Sequence, residues 1–215
     1  MTGHEAHLRE LLSRTEIACV LDVGAHLGQF GQLIRGIGYE GQIVSFEPAL
    51  PVFAALAKTA SADGRWSAHR LALGSTDGTA SLNVPQATDF SSFLLPNDYS
   101  LETYGGATEV ERVEQVPMRR LDSVADDYLP DGDLFLKLDT QGWNLEVLAG
   151  AERTLARVAV LQVELTVKPV YERMPPYHEV AAVLDRLGFD VTGFFPVVYD
   201  GDLLVEADCV LVRRG

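Results

Sequence analysis

Two glycines four residues apart, Gly24 and Gly28, follow a short apolar run and precede a segment with helical periodicity. From residue 22 the chain reads Asp-Val-Gly-Ala-His-Leu-Gly, so Asp22 lies within the end of the apolar run and His26 lies between the two glycines. The turn that joins a strand to a helix in a doubly wound sheet is a common binding place for nucleotide-like ligands. The spacing therefore predicts a cofactor-binding turn.

The residue at position 26 distinguishes two classes of cofactor. A dinucleotide site has glycine there, because the backbone must approach the pyrophosphate at the helix N-terminus. The His26 side chain would obstruct that approach, and Asp22 would add negative charge nearby. S-adenosylmethionine has no phosphate, and Asp22 would attract its cationic amino and sulfonium groups. We expect S-adenosylmethionine, with Glu47 accepting hydrogen bonds from its ribose hydroxyls; an NAD-dependent oxidoreductase or epimerase is the alternative.

Two later carboxylates, Asp139 and Glu164, each lie at or near the end of an apolar run. Transfer of an activated methyl group to a hydroxyl requires alignment of the two groups and removal of the hydroxyl proton. Asp139 would hold the cofactor or the acceptor hydroxyl, or accept its proton. Burial of Glu164 would raise its pKa toward that of a usable base. The alternative for Glu164 is a structural carboxylate paired with Lys137 or Lys168.

The proline-rich segment after residue 165 offers further candidates for the base. His178 or Tyr171 could accept the proton, although His178 also suits a surface or helix-capping position. The loop 86–108 carries four aromatic residues that could form a lid over the acceptor or only anchor the loop. They are Phe90, Phe93, Tyr99 and Tyr104.

The elements that must position these residues follow an alternating pattern. Short apolar runs rich in β-branched residues alternate with segments of helical periodicity, which is typical of an α/β fold. The predicted strands are 19–23, 42–46, 67–73, 133–138, 158–165, 189–198 and 207–213. The predicted helices are 4–14, 28–37, 51–60, a short one from 121, 144–157 and 177–187.

The last two predicted strands are joined by a turn that is too short for a parallel crossover. We therefore predict a doubly wound, mostly parallel seven-stranded sheet with a terminal antiparallel strand. Residues 75–118 interrupt the alternation with turn signals and short alternating segments. They predict a small β-rich insertion with a mobile loop around 86–108.

The composition limits the partners of the chain. It has 215 residues, 17 Lys+Arg, 31 Asp+Glu and a formal net charge of −14. The length predicts a single domain over 1–215, and negative charge without a basic stripe argues against nucleic acid and membrane partners. The N-terminus lacks a signal-peptide pattern. Cys19 and Cys209 lie in apolar runs, which predicts buried free thiols in a reducing cytoplasm. Homo-oligomerisation stays open.

The most informative stretch is residues 136–151, Leu-Lys-Leu-Asp-Thr-Gln-Gly-Trp-Asn-Leu-Glu-Val-Leu-Ala-Gly-Ala. It resembles the FkbM family of S-adenosylmethionine-dependent methyltransferases, whose members carry Leu-Lys-Ile-Asp, an acidic or amide residue with Gly, and Glu-x-x-Val-Leu-x-Gly-Ala. The resemblance covers residues 17–213, and further family motifs occur in the family's order, including Asp-Val-Gly-Ala at 22–25, Phe-Glu-Pro at 46–48 and Ala-Leu-Gly at 72–74.

The resemblance implies the Rossmann-like class I methyltransferase fold and S-adenosyl-L-methionine as cofactor. The cofactor-binding residues that the motifs and the resemblance together indicate are Asp22, Gly24, His26, Gly28, Glu47, Pro48, Ala72, Leu73 and Asp139. The candidate catalytic residues are Asp139, Glu164 and His178. The expected acceptor is a small molecule or glycan, methylated on a hydroxyl of a sugar, glycan or secondary metabolite.

The chain departs from the family pattern at three positions. The family usually has Asn at the position of His26, and commonly Glu at the positions of Gln141 and Asn144. Either ring nitrogen of His26 can still form a hydrogen bond. The loss of two carboxylates argues against a metal site there. It also leaves open a binding protein that retains the fold without catalysis. The sequence does not fix the acceptor or the base.

Overall fold

A computed structural model describes residues 1–215 as eight α-helices and ten β-strands. The strands are β1 Ile17–Val23, β2 Gln42–Phe46, β3 Trp66–His69, β4 Ala72–Leu73, β5 Gly78–Pro85, β6 Val110–Arg119, β7 Asp133–Leu138, β8 Val158–Thr166, β9 Phe189–Asp200 and β10 Leu203–Arg213. The helices are α1 Gly3–Arg14, α2 Gln29–Gly36, α3 Leu50–Ala60, α4 Asp98–Tyr104, α5 Leu121–Tyr128, α6 Asn144–Ala149, α7 Glu152–Leu155 and α8 Tyr177–Arg186.

Seven strands form the main sheet in the order β3-β2-β1-β7-β8-β10-β9. Neighbouring strands are parallel except at β10, which runs antiparallel to both β8 and β9. This confirms the predicted mostly parallel seven-stranded sheet with a terminal antiparallel strand. Val23 of β1 lies beside Phe46 of β2 and Leu138 of β7. The next residue of each strand, Gly24, Glu47 and Asp139 respectively, therefore comes to the same edge of the sheet.

Helices cover both faces of this sheet, as an α/β architecture requires. On one face Leu8 of α1 and Ile34 of α2 pack with Phe135 of β7. On the other face Val147 of α6 and Leu184 of α8 pack against the opposite side chains of the same strands. Burial on both faces explains why β1, β7 and β8 read as nearly continuous apolar runs. None of the helices combines the length and apolar character needed to cross a lipid bilayer.

The predicted strand 67–73 is wrong as a single element. β3 ends at His69, and Ala72–Leu73 forms β4, which pairs with β6 in a separate three-stranded sheet of order β4-β6-β5. The chain leaves the main sheet here because the His69 carbonyl accepts the Glu47 N–H, while Gly74 donates to Arg119 in the small sheet. The small sheet is the predicted β-rich insertion.

Two other predicted boundaries differ from the structure. The predicted helix 144–157 divides into α6 and α7 at Gly150, where a Cβ would lie only 2.0 Å from the Gly74 carbonyl oxygen. The predicted loop 86–108 contains α4, whose N-terminus is capped by Asn97, because the Asn97 side chain accepts the Ser100 N–H. Both cysteines are buried free thiols, as predicted.

Candidate cofactor and acceptor site

A cavity of about 470 Å³ opens at the edge where β1, β2 and β7 end, and extends across to β8 and β10. Eight of the eleven predicted site residues line it: Gly24, His26, Glu47, Pro48, Ala72, Leu73, Asp139 and Glu164. Three do not: Asp22, Gly28 and His178. The cavity has the size of a small-molecule binding site and lies where open parallel sheets bind ligands.

The Glu47 side chain holds the cofactor-binding turn through backbone hydrogen bonds. Its Oε2 accepts the His26 N–H at 3.0 Å, and its Oε1 accepts the Ala49 N–H at 2.9 Å. The main chain adds to this, because the N–H groups of Gly24 and Ala25 both donate to the Phe46 carbonyl. Burial raises the pKa of Glu47 to about 7. Each carboxylate oxygen retains a second lone pair for a ligand donor.

His26 links the turn to the insertion. Its backbone lies in the left-handed region with φ of 46°, and its ring is half-buried. The Gln29 amide Nε2 lies 3.1 Å from Nδ1, and the Thr88 hydroxyl lies 2.9 Å from Nε2. The amide nitrogen only donates, so Nδ1 accepts and Nε2 carries the proton that it donates to Thr88. Burial lowers the pKa of His26, which favours this neutral ring.

Asp22 does not reach the cavity, in contrast to its predicted contact with the cofactor. Its side chain is fully buried and forms an ion pair with Lys137, with Oδ1 to Nζ at 3.3 Å. The Lys137 ammonium also lies 3.3 Å from Asp139 Oδ2 and donates to the Gly24 carbonyl at 3.1 Å. Asp22 therefore holds the lysine that supports the cavity floor.

Gly28 and His178 are the other two corrections. Gly28 precedes α2 with φ of 89°, and a Cβ there would lie 3.0 Å from the side chains of Leu56 and Trp66. The close packing of these side chains behind the turn therefore requires glycine at position 28. His178 is exposed in the first turn of α8, with its ring against Tyr177. It is on the opposite side of the helix from the buried Val180, and so it points away from the cavity.

The side-chain amide of Gln141 bridges Asp139 and Glu164 through hydrogen bonds. Gln141 Nε2 donates to Asp139 Oδ1 at 3.1 Å and to Glu164 Oε2 at 3.0 Å, while the Tyr171 hydroxyl lies 2.9 Å from Gln141 Oε1. Glu164 forms no ion pair with Lys137 or with any other lysine. The predicted structural pairing of Glu164 with a lysine is therefore wrong.

The two carboxyl groups have opposite pKa shifts. Burial acts to raise the pKa of Asp139, but the adjacent Lys137 ammonium outweighs it and the pKa lies below its ordinary value. Burial, and then the Asp139 charge, raises the pKa of Glu164 well above its ordinary value. The pair therefore favours the negative charge on Asp139 and the proton on Glu164.

The positions where the chain departs from the family pattern have structural roles. Asn144 is buried outside the cavity, where its Nδ2 donates to the Glu164 carbonyl and its Oδ1 accepts from the Thr140 hydroxyl.

Trp143 lines the cavity with its ring 5.1 Å from that of Phe93. Of the four aromatic residues in the predicted lid, Phe90 and Phe93 line the cavity, whereas Tyr99 and Tyr104 do not.

Sequence reasoning missed several polar residues of the cavity. Gln162 of β8, Glu206 and Asp208 of β10, and Asp89 of the insertion all line it. Asp208 lies directly opposite Glu164 in the antiparallel register of β8 and β10. The alternation of Glu206 and Asp208 along β10 was a usable signal, because residues two apart on a strand share a face.

The Methyltransferase FkbM domain matches residues 22–191 of this chain. The chain belongs to the FkbM methyltransferase family. The family uses S-adenosylmethionine, and the chain is therefore an S-adenosylmethionine-dependent methyltransferase. The NAD-dependent alternative is set aside.

Individual relatives agree with this assignment. The protein named Methyltransferase sdnD from Sordaria araneosa is 28% identical over 203 residues, which cover 80% of this chain and 74% of that protein. The precorrin-6y C5,15-methyltransferase structure from Geobacter metallireducens is 12% identical, covers 98% of this chain and 87% of that chain, and has a TM-score of 0.52. The ribosomal protein L11 methylase structure from Lactobacillus delbrueckii subsp. bulgaricus is 9% identical, covers 100% of this chain and 79% of that chain, and has a TM-score of 0.51. At these identities the two structures show a shared fold only.

The residues of this FkbM domain fit S-adenosylmethionine. Six carboxylates line the cavity and Lys137 is the one lysine or arginine among the lining residues. The carboxylates are Glu47, Asp89, Asp139, Glu164, Glu206 and Asp208. This charge balance favours a cationic cofactor and opposes a polyphosphate. Glu47 and Pro48 at the end of β2 would hold the ribose, and Ala72 and Leu73 offer an apolar wall for the base.

We expect Glu47→Ala to weaken the binding of S-adenosylmethionine by about 1–3 kcal/mol, because a charged hydrogen-bond acceptor is lost. Calorimetric titration with S-adenosylhomocysteine, the demethylated product, measures the change without turnover. Glu10→Ala on the exposed face of α1 is the matched control and should leave the dissociation constant unchanged. Equal dissociation constants for Glu47→Ala and the control would remove Glu47 from the cofactor site.

Proposed function

We propose that this methyltransferase methylates a hydroxyl group of a sugar, glycan or secondary metabolite. The observation that carries the proposal is the Asp139–Gln141–Glu164 arrangement at the carboxyl ends of β7 and β8. A hydroxyl acceptor must lose a proton as it attacks. The arrangement supplies an ionised carboxylate inside the cavity, next to the turn that would hold the cofactor.

The chain's own residues divide this work. When bound, the cofactor supplies a methyl group that its sulfonium already activates. Asp139, kept ionised by Lys137, accepts the hydrogen bond of the acceptor hydroxyl and orients its oxygen. Glu164 holds the single proton of the pair, and Gln141 fixes the separation of the two carboxyl groups. The hydroxyl proton passes to Asp139, whose charge it neutralises.

The walls of the cavity support a small acceptor and limit water. Phe90, Phe93 and Trp143 present aromatic surface on the insertion side. Such a wall excludes water and strengthens the charged hydrogen bonds inside. The cavity of about 470 Å³ must hold the cofactor as well as the acceptor, so it favours a small molecule or the end of a glycan. The acidic lining and the net charge of −14 argue against nucleic acid and membrane partners.

Isotope transfer tests the proposal. We expect extract from the native cells, incubated with the protein and methyl-labelled S-adenosylmethionine, to yield a product with one labelled methyl group on oxygen. Asp139→Asn should lower the rate roughly 10²–10⁴-fold, because it removes the carboxylate that accepts the hydroxyl proton. Mass spectrometry and NMR of the product locate the methyl group.

The control is Glu152→Gln, an exposed carboxylate on α7 that should leave the rate unchanged. A labelled methyl group on nitrogen or carbon would contradict O-methylation. Cofactor binding without transfer to any component of the extract would favour a binding protein that retains the fold, and would overturn the proposal.

A further inference from the structure

Two cavity carboxylates on β10 have no part in the proposed proton transfer. Glu206 and Asp208 are two residues apart on one strand, so their side chains share a face, and both line the cavity. Asp208 lies directly opposite Glu164 on β8. Side chains in such a pair have Cβ atoms about 4.5–5.5 Å apart. The two acids therefore lie beside the place where the acceptor hydroxyl would bind.

Glu206 is unpaired, unlike the other carboxylates of the cavity apart from the exposed Asp89. It is only 8% exposed, and it has no hydrogen bond and no ion pair to any protein group, although it lines the cavity. By contrast, Glu47 accepts two backbone N–H groups, and Asp139 is paired with Lys137. A buried charge without a partner is costly, and a cationic ligand in the cavity would supply a partner for Glu206.

The surroundings of Glu206 are acidic. The charged groups that act on it are Asp139 after β7, Glu164 on β8, Asp208 on β10 and Asp89 of the insertion, with the tyrosines Tyr99, Tyr104 and Tyr171 nearby. The His4 imidazole pairs with Asp208, with Nδ1 at 3.7 Å from Oδ2, and forms no ion pair with Glu206. Burial, then Asp139 and the other acids, raises the pKa of Glu206 to about 7.

We propose that Glu206 and Asp208 bind a protonated amine of the acceptor, which makes the acceptor an amino alcohol. The proposal rests on the proposed function, because Asp139 and Glu164 must hold the hydroxyl to be methylated. An ammonium group offers three donors and a positive charge, and so it satisfies both carboxylates. A neutral polyol would leave their charge uncompensated.

The positions of the acids also limit the spacing of the two acceptor groups. Asp208 is directly opposite Glu164, and Glu206 is two residues away from Asp208 on the same face of β10. Because Leu138 of β7 pairs with Val163 of β8, an amino alcohol that binds both sets of acids places its hydroxyl at Asp139 and its amine two strands away, at Asp208 and Glu206. An amino sugar carries both groups.

Calorimetry with matched probes tests the subsite without knowledge of the natural acceptor. The full chain is saturated with S-adenosylhomocysteine and titrated with trans-2-aminocyclohexanol or with its neutral counterpart, trans-cyclohexane-1,2-diol. We expect the amino alcohol to bind at least about tenfold more tightly than the diol, as expected for one charged hydrogen bond. This preference should grow from about pH 6 to about pH 8, as Glu206 loses its proton.

Glu206→Gln should remove most of the preference for the amine, and Asp208→Asn should reduce it. Glu152→Gln, exposed on α7, should retain it. Circular dichroism and the urea unfolding midpoint show that each variant is folded, and affinity for S-adenosylhomocysteine should be unchanged. Equal binding of amino alcohol and diol to the unmodified protein would overturn the subsite. A loss of S-adenosylhomocysteine affinity in folded Glu206→Gln would also overturn it, because Glu206 would then belong to the cofactor site.

The test separates this proposal from the proposed function. An extract product that carries the new methyl group on oxygen but contains no amine would overturn only the amine subsite. A methyl group on nitrogen, with the preference for the amino alcohol retained, would overturn only O-methylation.

Discussion

Gly24→Ala should abolish cofactor binding and lower the free energy of unfolding by about 2–5 kcal/mol, the sum of backbone strain and overpacking. A Cβ on Gly24 would lie 1.8 Å from the Asp139 carbonyl oxygen, and the backbone has φ of 73°. The close atom belongs to the main chain, so no side-chain rotation relieves the clash. β1 and β7 would have to separate at the floor of the cavity, where the Gly24 carbonyl also accepts from Lys137.

Gly36→Ala is the matched control. Gly36 is the last residue of α2, its φ is not positive, and no atom lies within 4 Å of a Cβ placed there. Alanine in a helix is favoured over glycine by up to about 1 kcal/mol, so this variant should be as stable as the unmodified protein or slightly more stable. Urea unfolding and S-adenosylhomocysteine titration measure both effects. Similar midpoints and similar affinities for the two variants would show that the β1–β7 contact tolerates a side chain.

The sequence could predict that the cofactor-binding residues come together, because their positions depend only on the order of strands and turns along the chain. Apolar runs mark the parallel strands, and the residues that follow such strands meet at one edge of the sheet. Gly24, Glu47 and Asp139 meet there for this reason. Their family motifs lie within single strand-turn segments, so they require no knowledge of distant contacts.

Asp22 shows what such reasoning lacks. Its position at the end of β1 is correct, but its side chain is enclosed by Lys137 of β7 and Ser45 of β2, which are its register partners on the neighbouring strands. The strand pattern gives the face on which a side chain lies and not the side chains that enclose it. Glu206 was missed for a related reason, since its place depends on the antiparallel register between β8 and β10.

His178 is a different case, because the sequence alone is enough to predict that its side chain points away from the cavity. Val180 and Leu184 are four residues apart and define the buried face of α8. His178 lies two residues before Val180, about 200° away around the helix axis, and so it must point outward. The angular position of His178 around the α8 axis, which the sequence spacing gives, therefore excludes it from the cavity.

Lys137→Met should lower the free energy of unfolding by about 3–5 kcal/mol at neutral pH, because it leaves buried carboxylates without their counter-ion. The Lys137 side chain is 8% exposed, and its Nζ lies 3.3 Å from both Asp22 and Asp139. Asp22 is fully buried, so water cannot replace the ammonium. Lys58→Met, an exposed lysine on α3 without an ion pair, controls for the loss of positive charge and should change stability little.

The destabilisation of Lys137→Met should also depend on pH. Burial already raises the pKa of Asp22 above its ordinary value, with Lys137 opposing the shift, so removal of the lysine raises the pKa further. A carboxyl group whose pKa is raised by folding stabilises the folded state when protonated, and this contribution is lost as pH rises through the folded-state pKa. The stability difference from the unmodified protein should therefore shrink as pH falls and be largest above neutral pH.

The double variant Asp22→Asn/Lys137→Met decides whether the ion pair is the cause. It removes the fully buried charge together with its partner, and the remaining Asp139 carboxylate faces the cavity with a third of its surface exposed. We expect the double variant to recover more than half of the lost stability in urea unfolding at about pH 8. Additive losses from the two single changes would instead assign the effect of Lys137 to the packing of its stem against the Phe30 ring.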